Sequence, residues 1–89
     1  MKSLTSDACV VYIVECVDTT LYIGSTNNLK KRIYEHNYAK SGAHYTKIRR
    51  PVILKYFEVC KTLKEARSRE VVLKRLTREK KLKLIKANS

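Results

Sequence analysis

Cys9 to Val17 is an unbroken run of apolar, mostly β-branched residues with a single charge, the pattern of a strand covered on both faces. Asp18-Thr19-Thr20 interrupts it, and Leu21-Tyr22-Ile23 resumes strand character as far as Gly24. Two β-rich runs so closely joined predict an antiparallel hairpin. Gly24 is one of only two glycines, and at a strand end it predicts a backbone that turns sharply or admits another group closely. Ser25-Thr26-Asn27-Asn28 offers several helix N-caps, and Leu29 to His36 follows with helical spacing. Leu29 and Ile33 then face the core, with Arg32 and His36 on a neighbouring stripe. Asn37 to Arg50 is polar, holds Gly42 and reads as a long loop, which Pro51 closes. Val52 to Val59 is a third strand, with proline tolerated at its start.

Thr62-Leu63-Lys64-Glu65 is a capping box that opens a helix carrying Leu63, Ala66, Glu70 and Leu73 on one face. A second cap at Thr77 starts a last helix with Leu82 and Ile85. The order strand, strand, helix, strand, helix, helix predicts an α+β fold, a small antiparallel sheet packed by helices. Eighty-nine residues allow one domain, 1–89, with its core over about residues 9–86.

Charge changes the picture. Lys and Arg number 20 against 8 Asp and Glu, a formal +12 that a polyanionic partner would relieve. An apolar fraction of 44% is enough for a packed core and excludes a disordered basic tail for most of the chain. Cys9, Cys16 and Cys60 have neither disulfide-framework nor zinc-cluster spacing, so they read as buried free thiols in a reducing cytosol. The apolar run Ala8 to Val14 is too short to span a bilayer and Glu15 follows it, so no signal peptide or membrane anchor is expected. The expected setting is soluble and cytoplasmic.

Glu70 is the most informative polar residue. A carboxylate among Leu63, Ala66 and Leu73 faces the core or a cleft beside it, where an unpaired charge is costly. Taken alone, a salt bridge to Arg67 or Arg69 accounts for it. The functional alternative is a metal ligand, because Mg²⁺ keeps several waters and needs only one or two protein carboxylates beside a substrate phosphate. Tyr12 and Tyr22, on the two hairpin strands, are candidates to neighbour each other across the ladder, although a strand tyrosine by itself is packing. Arg32 either forks onto a phosphate or belongs to a solvated face with Lys30 and Lys31. His36, one turn on, either bonds a phosphate or shuttles a proton, or simply complements the helix dipole. His44 has no paired ligand spacing.

Val10-Val11-Tyr12, then Leu21-Tyr22-Ile23-Gly24, then Arg32 and the distant Glu70, resemble the GIY-YIG nuclease superfamily. Tyr45-Thr46, Arg50-Pro51-Val52 and the segment from Ala66 to Leu76 make the chain similar to its small single-domain bacterial members and to the nuclease module of structure-selective resolvases. The resemblance implies a three-stranded antiparallel sheet flanked by helices and a site using one Mg²⁺ or Mn²⁺ ion. It implies that Tyr12 activates the attacking water, that Tyr22 bonds the scissile phosphate and that Arg32 clamps it. His36 would assist at the substrate and Glu70 would hold the metal. A phenol with a reference pKa of about 10 needs a nearby cation to serve as a base at neutral pH. Val10 stands where the first motif usually has Gly, and Ser25 where several members carry a basic residue.

Lys74, Arg75 and Arg78 head a basic C-terminal stretch, and Lys30, Lys31, Arg49 and Arg50 add charge nearer the expected site, with Gly24 beside it. These residues read as a phosphate-backbone surface without base readout. The partner implied is DNA, branched or flapped, in repair or recombination and near the nucleoid. The rival reading is a basic DNA-binding module that retains the fold with little or no chemistry. Docking of the last helix on a protein partner, or a homodimer, is left open.

Overall fold

A computed structural model describes residues 8–40 and 44–87, with His44 as backbone alone, so Gly42 and the His44 side chain lie outside the described residues. The elements are β1 (Cys9–Glu15), β2 (Leu21–Thr26), α1 (Leu29–Tyr38), α2 (His44–Lys47), β3 (Ile53–Cys60), α3 (Leu63–Lys74) and α4 (Arg78–Ala87). The sheet is three-stranded and antiparallel throughout, as the resemblance implies, and runs in the order β2-β1-β3.

The first strand is the centre of the molecule because its apolar run has no polar face to give to water. Val10 to Val14 are at most 1% exposed. Val10, Tyr12 and Val14 pack under α1 with Leu29, and Val11 and Ile13 pack under α3 with Ile23, Tyr56 and Leu73. Leu84 and Ile85 of α4 extend the second cluster, whereas Leu82 of the same helix is 40% exposed.

One irregularity sets the register. Ile13 pairs with Tyr56 but Val14 pairs with Leu54, so Lys55 is an extra residue on β3. Without this bulge Leu54 would fall on the same face as Tyr56; with it, Leu54 joins the α1 layer. Lys55 turns outward towards Glu15, 3.8 Å away.

Local chemistry fixes the joins. Asn28 proves to be the α1 cap, accepting from the Lys31 amide at 3.1 Å. The helix runs to Tyr38, past the expected end. Part of the expected long loop is the short α2, which packs against α1. The Asn37 amide clasps the Val52 backbone, donating to its carbonyl at 3.1 Å and accepting from its N–H at 2.7 Å. The capping box is present: Thr62 Oγ1 accepts from the Glu65 amide, and Glu65 reaches back to the Lys61 amide. Arg69 forks onto Glu58 at 2.9 and 3.1 Å and ties α3 to β3.

The thiol expectation needs correction. Cys16 is buried, but Cys9 and Cys60 are partly exposed, because they end strands rather than sit inside them. No helix of the described residues is long and apolar enough to cross a membrane.

The hairpin turn holds the one positive-φ non-glycine residue among those described, Thr19 at φ 69°. Asp18 Oδ1 fixes the turn by accepting from the Thr20 amide and hydroxyl at 3.2 and 2.6 Å. A β-branched residue is strained in this region, and asparagine tolerates it far better. Thr19→Asn should therefore raise stability by about 0.5–1 kcal/mol in urea denaturation. An unchanged or lowered midpoint would show that the turn carries no such strain.

Candidate active site

The site begins with a side chain that a glycine lets through. Tyr12 is opposite Gly24 in the ladder, and its ring crosses over that residue. A Cβ at position 24 would lie 2.6 Å from Tyr12 Cζ and still closer to its oxygen. Gly24 answers the expectation of close approach; its φ is not positive, so the sharp turn is not why glycine stands there. Tyr22 pairs with Val14, so the two tyrosines are diagonal neighbours on one face rather than directly opposed.

The Tyr12 hydroxyl lies 2.7 Å from His36 Nε2, and His36 Nδ1 lies 2.6 Å from Thr46 Oγ1. Tyr12 is 1% exposed, and His36 and Thr46 are fully buried. The Arg32 guanidinium lies near enough for its positive charge to act on the Tyr12 oxygen. A cation beside that oxygen faces its lone pairs, so we assign the phenolic proton to the bond with His36 Nε2 and the ring proton to Nδ1, donated to Thr46. Tyr22 lies edge-on to the His36 ring with centroids 5.3 Å apart, and stacks on Tyr45 at 5.9 Å. The Arg49 guanidinium sits 4.0 Å from the Tyr45 centroid.

Burial governs the electrostatics of this chain of groups. It pushes the Tyr12 phenol up to about 12, with Arg32 pulling the other way and Tyr22 and Glu70 adding to the rise. The sequence argument required a depressed phenol, and in the resting protein the opposite holds. Burial, aided by the charges of Arg32 and Arg50, pushes His36 down to about 4, against Glu35. His36 is therefore neutral at physiological pH and, fully buried, stands behind Tyr12.

Glu70 approaches from the other side of β2. Its carboxylate accepts from Ser25 Oγ at 2.6 Å, and Lys74 Nζ lies 2.6 Å from its other oxygen. Lys74, one helical turn on, is the salt-bridge partner, in place of Arg67 or Arg69; Arg69 is engaged with Glu58. Ser25 pairs with Val11 and so points away from the face that carries Tyr22 and Gly24. The phenols and the carboxylate thus flank the edge strand, with Glu70 near enough for its charge to reach Tyr12. Burial works to raise the Glu70 pKa, but bonds from Lys74 and Ser25 and the charges of Lys74 and Arg67 hold it below the usual range. An ionised, partly exposed carboxylate suits a hydrated Mg²⁺ or Mn²⁺. Among the described residues no cluster of three or more His, Cys, Asp or Glu would enclose a metal, so substrate phosphate and water would complete the shell.

The basic residues divide. Lys30, Lys31 and Arg75 are exposed. Arg49 pairs with Asp18 at 3.1 Å and donates to the Tyr45 carbonyl. Arg50 donates to the carbonyls of Glu35, His36 and Ala39 and so closes the C-terminus of α1. Arg78 bonds the Thr19 carbonyl at 2.9 Å. Sequence reasoning assigned no site role to Ser25, Tyr45 or Thr46. Nothing local in a polar loop marks Thr46 as a histidine partner, and Ser25 becomes meaningful only once strand alternation points it at α3.

A small antiparallel sheet with a tyrosine on each strand of its hairpin, an arginine on the next helix and an acid on the helix after the third strand defines a nuclease-type domain. The chain belongs to the GIY-YIG catalytic domain family, whose profile matches residues 8–83. It is similar to a UPF0213 protein of Clostridium perfringens, 53% identical over 79 residues, covering 89% of this chain and 84% of that one. A UPF0213 protein of Desulfotalea psychrophila is 49% identical over 81 residues, covering 91% and 74%. Among solved structures, the solution NMR structure of a UPF0213 protein from Bacillus halodurans has a TM-score of 0.57 at 35% identity, covering 89% of this chain and 83% of that chain. That of a protein from E. faecalis has a TM-score of 0.59 at 33% identity, covering 99% and 92%.

Two measurements probe the buried chain of hydrogen bonds. Thr46→Val should strand the His36 Nδ1 proton and cost about 1–3 kcal/mol in urea denaturation, while Thr46→Ser should recover most of the loss. Equal losses in both variants would mean that the hydroxyl is not the contact that matters. His36 takes up a proton near 6.5 when unfolded but only near 4 when folded. Its contribution is therefore complete above about pH 6.5 and is lost as pH falls towards 4, up to about 3 kcal/mol. Denaturation at pH 7, 5.5 and 4 should show a smaller acid loss for His36→Phe than for the unaltered chain; parallel curves would contradict the assignment.

Proposed function

We propose that this protein is a divalent-metal-dependent DNA endonuclease that hydrolyses phosphodiester bonds and selects DNA by structure rather than sequence. The observation that carries the reading is Tyr12, Tyr22 and Arg32 on one side of β2 and an ionised Glu70 on the other. Repair or recombination of branched or flapped DNA is the setting this activity suits.

Arg32 would clamp the scissile phosphate, releasing Glu35, its present partner at 3.3 Å, and Tyr22 would hydrogen-bond the same group. Glu70 would hold Mg²⁺ or Mn²⁺ once Lys74, whose side chain is 54% exposed, swings aside. When bound, such an ion supplies charge that neutralises the phosphate and acidifies water. Tyr12 is the candidate base. With its phenol near 12 and His36 near 4, proton transfer between them is far uphill in the resting protein. Tyr12 would therefore serve as base only after its proton has passed to the aligned His36 Nε2, and a cation held near the phenol oxygen would favour its ionisation.

The same observations favour a second reading, a DNA-binding module with little chemistry, because Lys74 neutralises Glu70 and burial protects the Tyr12 proton. Cleavage of labelled branched DNA with Mg²⁺ or Mn²⁺ separates the two. The nuclease reading expects Glu70→Gln and Tyr12→Phe each to lower the rate at least about 100-fold while DNA affinity stays within about threefold. No cleavage by the unaltered chain, or equal cleavage by all three proteins, would overturn it. Under either reading, neutralising about six phosphates gives a log–log salt slope near −5 on duplex DNA. A flat salt response would exclude both.

A further inference from the structure

Cys9 and Cys60 lie far apart in sequence, yet they are Cα partners in the β1/β3 ladder. They form its last rung, the first residue of β1 facing the last residue of β3. Directly opposed residues of an antiparallel pair share a face, with Cα atoms about 4.5–5.5 Å apart, inside the range of about 4.4–6.8 Å that a disulfide spans. Both thiols are free and partly exposed, whereas Cys16 is buried. Cys60 now donates to the Glu58 carbonyl, 3.9 Å from its sulfur. The rung ends the ladder, and both residues are partly exposed although Cys60 also packs against the cluster of Tyr56 and Leu73.

We propose that Cys9 and Cys60 form a reversible dithiol–disulfide site, oxidised by hydrogen peroxide and restored by a small-molecule thiol. One thiolate attacks the peroxide; the O–O bond breaks, leaving a sulfenic acid and, once protonated, one water. The second thiol attacks the sulfenic sulfur; the S–S bond forms, the S–O bond breaks, and a second water leaves. The two electrons go to the peroxide, and the thiol protons end in the two waters. Burial, with the Glu58 and Glu65 carboxylates, pushes the Cys60 thiol up and so slows its own attack on the peroxide. The bond would fasten β1 to the strand that leads through Thr62 into α3, the helix that carries Glu70.

The test is a titration of the whole folded chain with hydrogen peroxide, followed by thiol counting and a non-reducing peptide map. The reactive thiols should fall from three to one, with a Cys9–Cys60 cross-linked peptide and Cys16 unmodified. The melting temperature should rise by at least about 5 °C and return on adding dithiothreitol. Cys9→Ser and Cys60→Ser should each abolish the shift, and Cys16→Ser should keep it. The map on the unaltered chain decides the matter even if a variant folds poorly. Three thiols still free, a bond that includes Cys16, or products joined only between molecules would overturn the proposal.

Discussion

The structure turns on the passage of one phenol across one backbone. Tyr12 leaves the central strand, crosses Gly24 and enters the layer under α1, where it meets His36 and Arg32. Any side chain at position 24 would block that path. The crossing determines what surrounds the hydroxyl: a neutral imidazole behind it, a guanidinium beside it and little water. The same burial that orders these groups raises the energy of ionising the phenol, so organisation and reactivity pull in opposite directions within the resting protein.

Edge strand β2 resolves a second geometric problem. Its alternation sends Tyr22 towards α1 and Ser25 towards α3, so groups from two layers gather around one narrow ribbon. Glu70 needs no place among the aromatic groups for its charge to reach them. Ser25 works on the acid, orienting its carboxylate through a 2.6 Å hydrogen bond.

Much of this architecture is legible in the residues, because apolar pattern and capping are local signals. The uninterrupted run at Val10 to Val14 announces a central strand, and Thr62 with Glu65 announces α3. Tyr12, Tyr22, Arg32, His36 and Glu70 stand out as candidates through the resemblance that their motifs carry. Their relations cannot. That His36 lies behind Tyr12, that Lys74 rather than an arginine meets Glu70, and that Arg50 caps α1 all depend on contacts between residues distant in sequence. The bulge at Lys55 is equally silent: alternation alone would put Leu54 on the wrong face, and only the packing of Val14 corrects it. Short α2 goes unseen because four residues carry too little periodicity to register.

Many of the basic residues are already engaged within the chain, and others are not. Arg32, Arg49, Arg50, Arg69 and Arg78 are committed to carboxylates, carbonyls or rings of their own chain. Lys30 and Lys31, by contrast, stand out in solvent as compact, hydrated charges on pliant stems. The formal charge thus overstates how much rigid, fork-shaped recognition the exterior can offer. What it presents is closer to a soft cationic brush, suited to loose and quickly exchanging contact along a polyanion, with directional grip concentrated in whichever guanidinium can be freed.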